Sequence, residues 1–394
     1  MRLTYEELNE IKKKFGVDQL WSFSKFDSYR TSQYEWMLKY IKYLPENNEK
    51  QSAYSSLGSA VHDIIENLYE DKIQYKNMTE EFEDVWVTNI DIAGLVFDRN
   101  DSKKNENIKN KYYIDLMHFF KNYKQLPYKM QNEQFVTIKI TDDIVMQGYI
   151  DACYKNEDSI FTIVDYKTST QYSGKAIKEH AAQLVLYSEA LRQLGIPKDK
   201  IRCCWNFLKY VNVDCEQING KIKTRTIERY EIGSKLQSSV KVWLKKLGYE
   251  NQMLEYINTL VLTNDIKCLP KDVQEKYTIN DCYVYVDDIW DFYEELKEEI
   301  IETISEINDK VKKYKELVKL GNEEVAEKLF WDNEESLKNQ SYYYNNLCGY
   351  SIPTIKPYKQ YLDKITSEKN SGVFGNKKQN DDFEEDDLSW LNDL

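Results

Sequence analysis

Proline and glycine are scarce, 6 and 13 in 394 residues. So few chain breakers exclude a loop-rich or low-complexity chain and favour long regular elements, helices above all. Cysteine supplies no disulfide framework either, because the seven thiols, an odd number, are scattered from Cys153 to Cys348. Reduced thiols in a reducing compartment are expected. Long hydrophobic runs are missing: nothing approaches the ~18 consecutive apolar residues of a membrane span. The opening MRLTYEELNEIKKKF also lacks the apolar centre of a signal peptide. The expectation is a cytoplasmic protein without a membrane partner.

Positive charge is in short supply too. Lys and Arg number 54 against 67 Asp and Glu, a net charge of −13, whereas a basic footprint is the usual mark of a nucleic-acid binder. The distribution weakens that exclusion. The last fourteen residues, DDFEEDDLSWLNDL, hold seven acids and no base, so the preceding 380 carry only −6. A local basic groove is compatible with that balance, and acids gathered around a metal ion also count against it.

What is present is a large apolar complement, 41% of residues with 32 tyrosines, enough for a sizeable core. Helical periodicity covers residues 56–69, 80–93, 109–123, 174–194, 234–259 and 289–320. Strand character concentrates between them. Residues 134–140 alternate, 145–154 and 159–167 follow as a hairpin, and 201–213 come after the 174–194 helix. The expected fold is α/β, a central mixed sheet flanked by helices with helical insertions. Residues 1–364 form one domain in this reading, 365–380 a linker rich in Gly, Ser, Asn and Lys, and 381–394 a disordered acidic tail.

The hairpin poses the chemical question, because IVDYKTS (residues 163–169) reads as a buried strand yet carries Asp165 and Lys167. Burying such charges costs several kcal/mol each unless they are paired or bind an ion. A turn centred near Asp158 in YKNEDSI sets Asp151 opposite Asp165. Opposed Cβ atoms lie ~4.5–5.5 Å apart, so the two carboxylates repel unless a cation joins them. Lys167 shares the face of Asp165, because strand side chains alternate. Hard oxygen donors suit Mg²⁺ or Mn²⁺ better than zinc. A lysine beside such an ion can orient a water or neutralise a phosphate, which outlines metal-assisted phosphodiester hydrolysis. Taken alone, the D-x-K pattern equally fits an ion pair that closes a sheet.

Five stretches alter that balance. SFSKFDSYRTSQYEWMLKYI (22–41), LGSAVHDIIENLYE (57–70), GYIDACY (148–154), VDYKTS (164–169) and HAAQLVLYSEAL (180–191) occur in order. Together they resemble the RecB-like exonuclease branch of the PD-(D/E)xK nuclease superfamily, which includes the AddB nuclease domain and nucleases of CRISPR adaptation. The resemblance spans residues 22–213 and implies a restriction-endonuclease-like core. It also implies a metal-dependent DNA exonuclease with Mg²⁺ or Mn²⁺, two ions per site, working in replication, recombination or repair in a bacterial or phage-infected cell. An endonuclease on the same core, or a non-catalytic DNA-binding scaffold, stays open as an alternative.

The resemblance implies roles residue by residue. His62, Asp151, Asp165 and the Tyr166 backbone carbonyl are the metal ligands, with Asp165 in the place of the family's variable second acid. Lys167 is the catalytic lysine, and Gln183 and Tyr187 form the QxxxY motif that orders it. By helical spacing His62 shares a face with Ile65, Glu66 and Tyr69, so Glu66 is expected to orient the imidazole. His180 shares a face with Gln183 and Tyr187 and is expected to touch a phosphate. Ser22, Ser24 and Tyr29 are candidate DNA contacts. Glu133 occupies a place where relatives often carry an acid, and His118 reads as structural.

Relatives often hold an iron-sulfur cluster on four cysteines. Here Ser32 and Gln33 stand where the first cysteine would lie, and only Cys348 remains in the late region, so no cluster is expected. That departure leaves open how the two ends of the domain are held together. Cys203 and Cys204 read as core residues. No GxxxxGK[ST] phosphate loop is present, so strand separation would come from another chain. Phe383, Leu388, Trp390 and Leu391 among the tail acids suit docking on a replication or recombination protein, or mimicry of DNA charge.

Overall fold

The computed structural model describes residues 3–45, 53–98, 101–333, 335–336 and 350. The linker and tail expected at 365–380 and 381–394, and Cys348, lie outside them. The chain opens with α1 (Tyr5–Phe15), started by a Thr4/Glu7 capping box and stopped by Gly16 at φ 71°. Then come β1 (Trp21–Ser22), α2 (Phe23–Thr31) and α3 (Gln33–Tyr40). Ser22 and Ser32 open the two helices by accepting hydrogen bonds from the backbone N–H groups of Lys25 and Glu35. A helical group follows: α4 (Ala53–Tyr69), α5 (Met78–Trp86) and α6 (Ser102–Asn122).

The central strands are β2 (Met130–Lys139), β3 (Val145–Lys155) and β4 (Phe161–Lys167). After α7 (Lys175–His180) and α8 (Ala182–Gln193), β5 (Ile201–Glu216) returns parallel to β4. The rest is β6 (Ile222–Glu228), α9 (Ile232–Lys246), α10 (Met253–Thr263), α11 (Lys271–Gln274), β7 (Tyr277–Tyr285), α12 (Ile289–Lys319) and α13 (Glu323–Glu327). Strands run in the order β1-β3-β4-β5-β6, with β2 added on β3 and β7 on β5. β1 lies parallel to β3 and the remaining pairs are antiparallel, so the sheet is mixed, as expected.

Sheet register creates the fork that holds the chemistry. β2 pairs with β3 from Lys139 opposite Val145 to Met130 opposite Tyr154, so it covers one edge of β3. On the other edge β1 pairs at Met146 and Gln147, and β4 pairs only from Ala152 to Lys155. Asp151 and Asp165 are the next residues in that register, where β3 and β4 part. The turn expected near Asp158 is present, with Ser159 at φ 60° and the Ile160 N–H donating to the Asn156 side chain.

Three apolar cores support this sheet. Trp205, Phe207 and Ile163 pack with α8, α12 and α2–α3; Val164, Tyr166 and Cys204 pack with α4–α6; Val211 and Val213 pack with α9 and α10. Cys203 and Cys204 are wholly buried core residues, and burial pushes the Cys203 thiol up to about 12. No helix among the described residues is long and apolar enough to cross a membrane.

Two expected helices are each divided. The 174–194 span breaks at Ala181, and the 234–259 span breaks around Gly248, which takes φ 86°. β6 and β7 and the three short helices α1–α3 were not legible from periodicity. In β6 the first five residues, Ile222–Thr226, are exposed, and only Ile227 is buried, so no apolar alternation marks it.

Near the ends of the described residues, polar contacts join Ser32 and Gln33 to the segment after α13. Ser32 Oγ donates to Asp332 at 2.8 Å and the Gln33 backbone N–H donates to the same carboxylate at 2.8 Å. Trp36 stacks on Phe330 at 6.0 Å, and Lys42 pairs with Glu327. This clamp joins α3 to the segment after α13.

Candidate active site

The fork brings a histidine, two aspartates and a lysine together. Nitrogen and oxygen donor atoms of His62, Asp151 and Asp165 all lie within 4.8 Å of one another. His62 reaches in from α4, whose other face buries Val61, Ile64 and Ile65. Its Nδ1 lies 3.5 Å from Asp151 Oδ2, and its Nε2 lies 2.7 Å from the Tyr166 carbonyl. A carbonyl only accepts, so the ring proton sits on Nε2 and the Nδ1 lone pair faces the carboxylates. That tautomer leaves a nitrogen available to a cation.

Lys167 Nζ lies 3.3 Å from Asp165 Oδ2, with side chains 21% and 11% exposed. Val164 and Tyr166 point to the opposite face, into the α4–α6 core. Burial and the neighbouring Asp165 carboxylate hold the Asp151 carboxyl well above the usual carboxylate range. Two carboxyl groups this close cannot both ionise without a counter-ion. Burial lowers the His62 imidazole, favouring its neutral form, while nearby Asp165 opposes that shift. Such a set of unprotonated nitrogen and paired oxygen donors fits a divalent ion of the Mg²⁺ or Mn²⁺ kind.

Gln183 and Tyr187 come from α8 on the other side of the fork. Gln183 Nε2 donates to the Tyr187 hydroxyl at 2.9 Å, which leaves the Gln183 carbonyl free of that bond. Tyr187 lies against β3 at Gly148, where an added Cβ would sit 2.6 Å from its Cε1 and 2.9 Å from its hydroxyl. Gly148 is the residue whose importance the sequence conceals, because only the packing shows what its missing side chain accommodates.

Glu133 also belongs to this neighbourhood. It follows the register opposite Asp151, takes φ 45°, and its charge acts on both Asp151 and His62. Around it the even-numbered residues change sides: Met146 and Ile150 pack with α8, Ala152 with α4–α6. A non-glycine residue in the left-handed region beside a change of face marks a locally strained pair of strands.

Other expected site residues are placed elsewhere. Glu66 does not hold the imidazole; the Tyr166 carbonyl takes that part, while Glu66 lies near Glu70 and burial raises its carboxyl. Tyr29 is buried, 2% exposed, with its hydroxyl donating to Glu306 of α12 at 2.9 Å, so it holds helices together rather than facing the fork. Ser22 caps α2 and lies 3.3 Å from Ser24. His180 ends α7, on the far side of the Ala181 break from Gln183, and stacks on Tyr172 at 4.0 Å. His118 is a buried link between Arg229 and the Asn264 carbonyl.

The geometry agrees with what the chain is similar to. The model of the PD-(D/E)XK nuclease superfamily matches residues 20–317. The chain belongs to that superfamily. Within the matched residues the sequence reads D-x-K at Asp165-Tyr166-Lys167, and the fork sets Asp151 beside Asp165. Members are metal-dependent nucleases that use divalent ions, usually Mg²⁺ or Mn²⁺. No curated protein matches the chain significantly.

Proposed function

We propose that this chain is a metal-dependent DNA exonuclease of the RecB-like branch. Its substrate is single-stranded DNA or duplex ends, in replication, recombination or repair in a bacterial or phage-infected cell. The observation that carries the reading is the fork: three metal-binding side chains within 4.8 Å, and a lysine 3.3 Å from one of them.

His62, Asp151, Asp165 and the Tyr166 carbonyl are the residues to hold Mg²⁺ or Mn²⁺, two ions in this reading. Bound metal would supply an acidified water and a positive charge for the phosphate. Lys167, tied to Asp165, stands where it can hold the attacking water or the phosphate oxygen. Gln183, fixed by Tyr187, has the part of ordering that lysine in this reading. Ser22, Ser24 and His180 are retained as outer contacts for the strand.

The test is digestion of end-labelled single- and double-stranded DNA by the purified chain, with and without a chelator. Asp165→Ala and Lys167→Ala are expected to lower the rate by at least about 10²-fold while remaining folded. Full activity in both variants sinks the reading. Cleavage of circular single-stranded DNA would reassign the enzyme as an endonuclease.

A further inference from the structure

The third core builds a module that the proposed reaction does not use. β5 runs level with β4 from Ile201 to Phe207 and then continues to Glu216. β7 occupies one edge of β5 from Cys204 to Cys215, with a register shift between Asn206 and Val211. A strand has only two edges. β6, paired with Tyr210 to Glu216, must therefore take the edge that β4 holds further back. So β6 lies in line with β4, beyond the strand end that carries Asp165 and Lys167. Arg225 stands opposite Val213 and Lys223 opposite Cys215. At ~3.3 Å per residue, they lie up to about 20 and 26 Å past the level of Lys167.

The segment between β5 and β7 is basic in an acidic protein. Residues 217–276 contain eleven Lys and Arg against seven Asp and Glu, whereas the whole chain has a net charge of −13. Its ion pairs among the described residues use Arg229 with Asp281, Lys235 with Glu231, Lys245 with Glu250, and Lys276 with Glu216. Lys223 and Arg225 alternate along one face of β6, Lys221 directly precedes the strand, and Lys241 is exposed on α9. Those four are in no ion pair with a described residue. Like charges repeated along an edge strand repel one another unless an anion lies across them.

We propose that β6 and α9 form a track for the phosphate backbone of the DNA whose end lies in the catalytic fork. The inference rests on the nuclease reading and adds where the rest of the substrate runs. At ~3.4 Å per nucleotide in a stacked strand, and about twice that in an extended one, the track meets the strand about three to eight nucleotides from the fork. Such contacts hold register without reading sequence.

The experiment compares wild type with Lys223→Glu/Arg225→Glu on two single strands, one of about two nucleotides, too short to reach β6 even when extended, and one of about twenty. The variant is expected to raise KM for the longer strand about tenfold, with kcat unchanged and the short strand unaffected. Its dependence of log Kd on log salt should shallow by about 0.7 per contact removed. Lys223→Gln/Arg225→Gln, which removes charge without reversing it, should move both readouts in the same direction and decides the matter if the double Glu chain misfolds. Wild-type values for the longer strand in the folded variant overturn the track, including where the chain aggregates instead, since the charges then only guard an exposed edge. A gain in DNA affinity also overturns it, by assigning the patch to the chain's own acidic tail. If the wild type hydrolyses neither strand, the nuclease reading fails, and equilibrium binding of the longer strand still decides the track.

Discussion

At the scale of single residues, the missing side chain of Gly148 is as informative as the charges around it. A methyl group there would lie 2.6 Å from Tyr187 Cε1, so the ring must move. Because Tyr187 holds Gln183 through one hydrogen bond, the displacement moves Gln183 as well. Gly148→Ala is expected to cost about 1–3 kcal/mol of stability and to lower the rate on the order of 10- to 100-fold. Adding Tyr187→Leu should restore stability in a urea melt without restoring the rate. A Gly148→Ala enzyme with a wild-type rate would detach the glycine from the site. Asp151, Asp165 and Lys167 were legible in the sequence because strand alternation and a short turn determine who faces whom. The partner of His62 was not. Helical spacing pointed to Glu66, but the Tyr166 carbonyl arrives from a strand 104 residues away.

At the scale of elements, α6 is locked to the β5–β6–β7 module by buried polar groups. Arg229, 1% exposed, donates to the Leu208 carbonyl at 2.7 Å and to Asp281 at 2.8 Å, and lies beside His118. The neighbouring Asp115 carboxyl accepts from the Tyr230 N–H at 2.7 Å, and burial pushes it up from 3.8 to about 8. A folded pKa above the unfolded value means the native state binds the extra proton. Its stabilising contribution is therefore full below about pH 4 and lost as pH rises through about 8. We expect Asp115→Asn, which keeps a neutral group of the same shape, to flatten the alkaline loss by a few kcal/mol. Urea unfolding of both chains from pH 5 to 9 checks this, and parallel pH profiles would refute it. Periodicity in 109–123 revealed the helix, yet gave no hint that its buried face carries an aspartate and a histidine, since their partners lie over a hundred residues downstream.

For the whole molecule, charge is divided rather than uniform. Seven acids in the last fourteen residues, and a local excess of four bases in residues 217–276, lie in a chain of net charge −13. Long-range repulsion between an acidic protein and DNA acts over about a Debye length, ~8 Å at physiological salt, so local sign governs close contact more than the total. If the tail competes with DNA or recruits a partner, deleting Asp381–Leu394 should raise non-specific DNA affinity at low salt or abolish a protein contact. Unchanged binding in both assays would reduce the tail to a solubility device. The clamp of Ser32 on Asp332 belongs to this scale as well. It joins α3 to the segment after α13 through a hydrogen bond between residues 300 apart.

The sequence by itself determined the central strands, the hairpin register and the nearness of Asp151, Asp165 and Lys167. Those features depend on local spacing: period two in strands, 3.6 in helices, and a turn that sets who faces whom. Only the tertiary structure decided where β3 and β4 part, which group holds His62, why position 148 has no side chain, and that β6 continues the line of β4. Each of these depends on packing between segments far apart in the chain, where contact is decided by shape and by the competition for a strand's two edges.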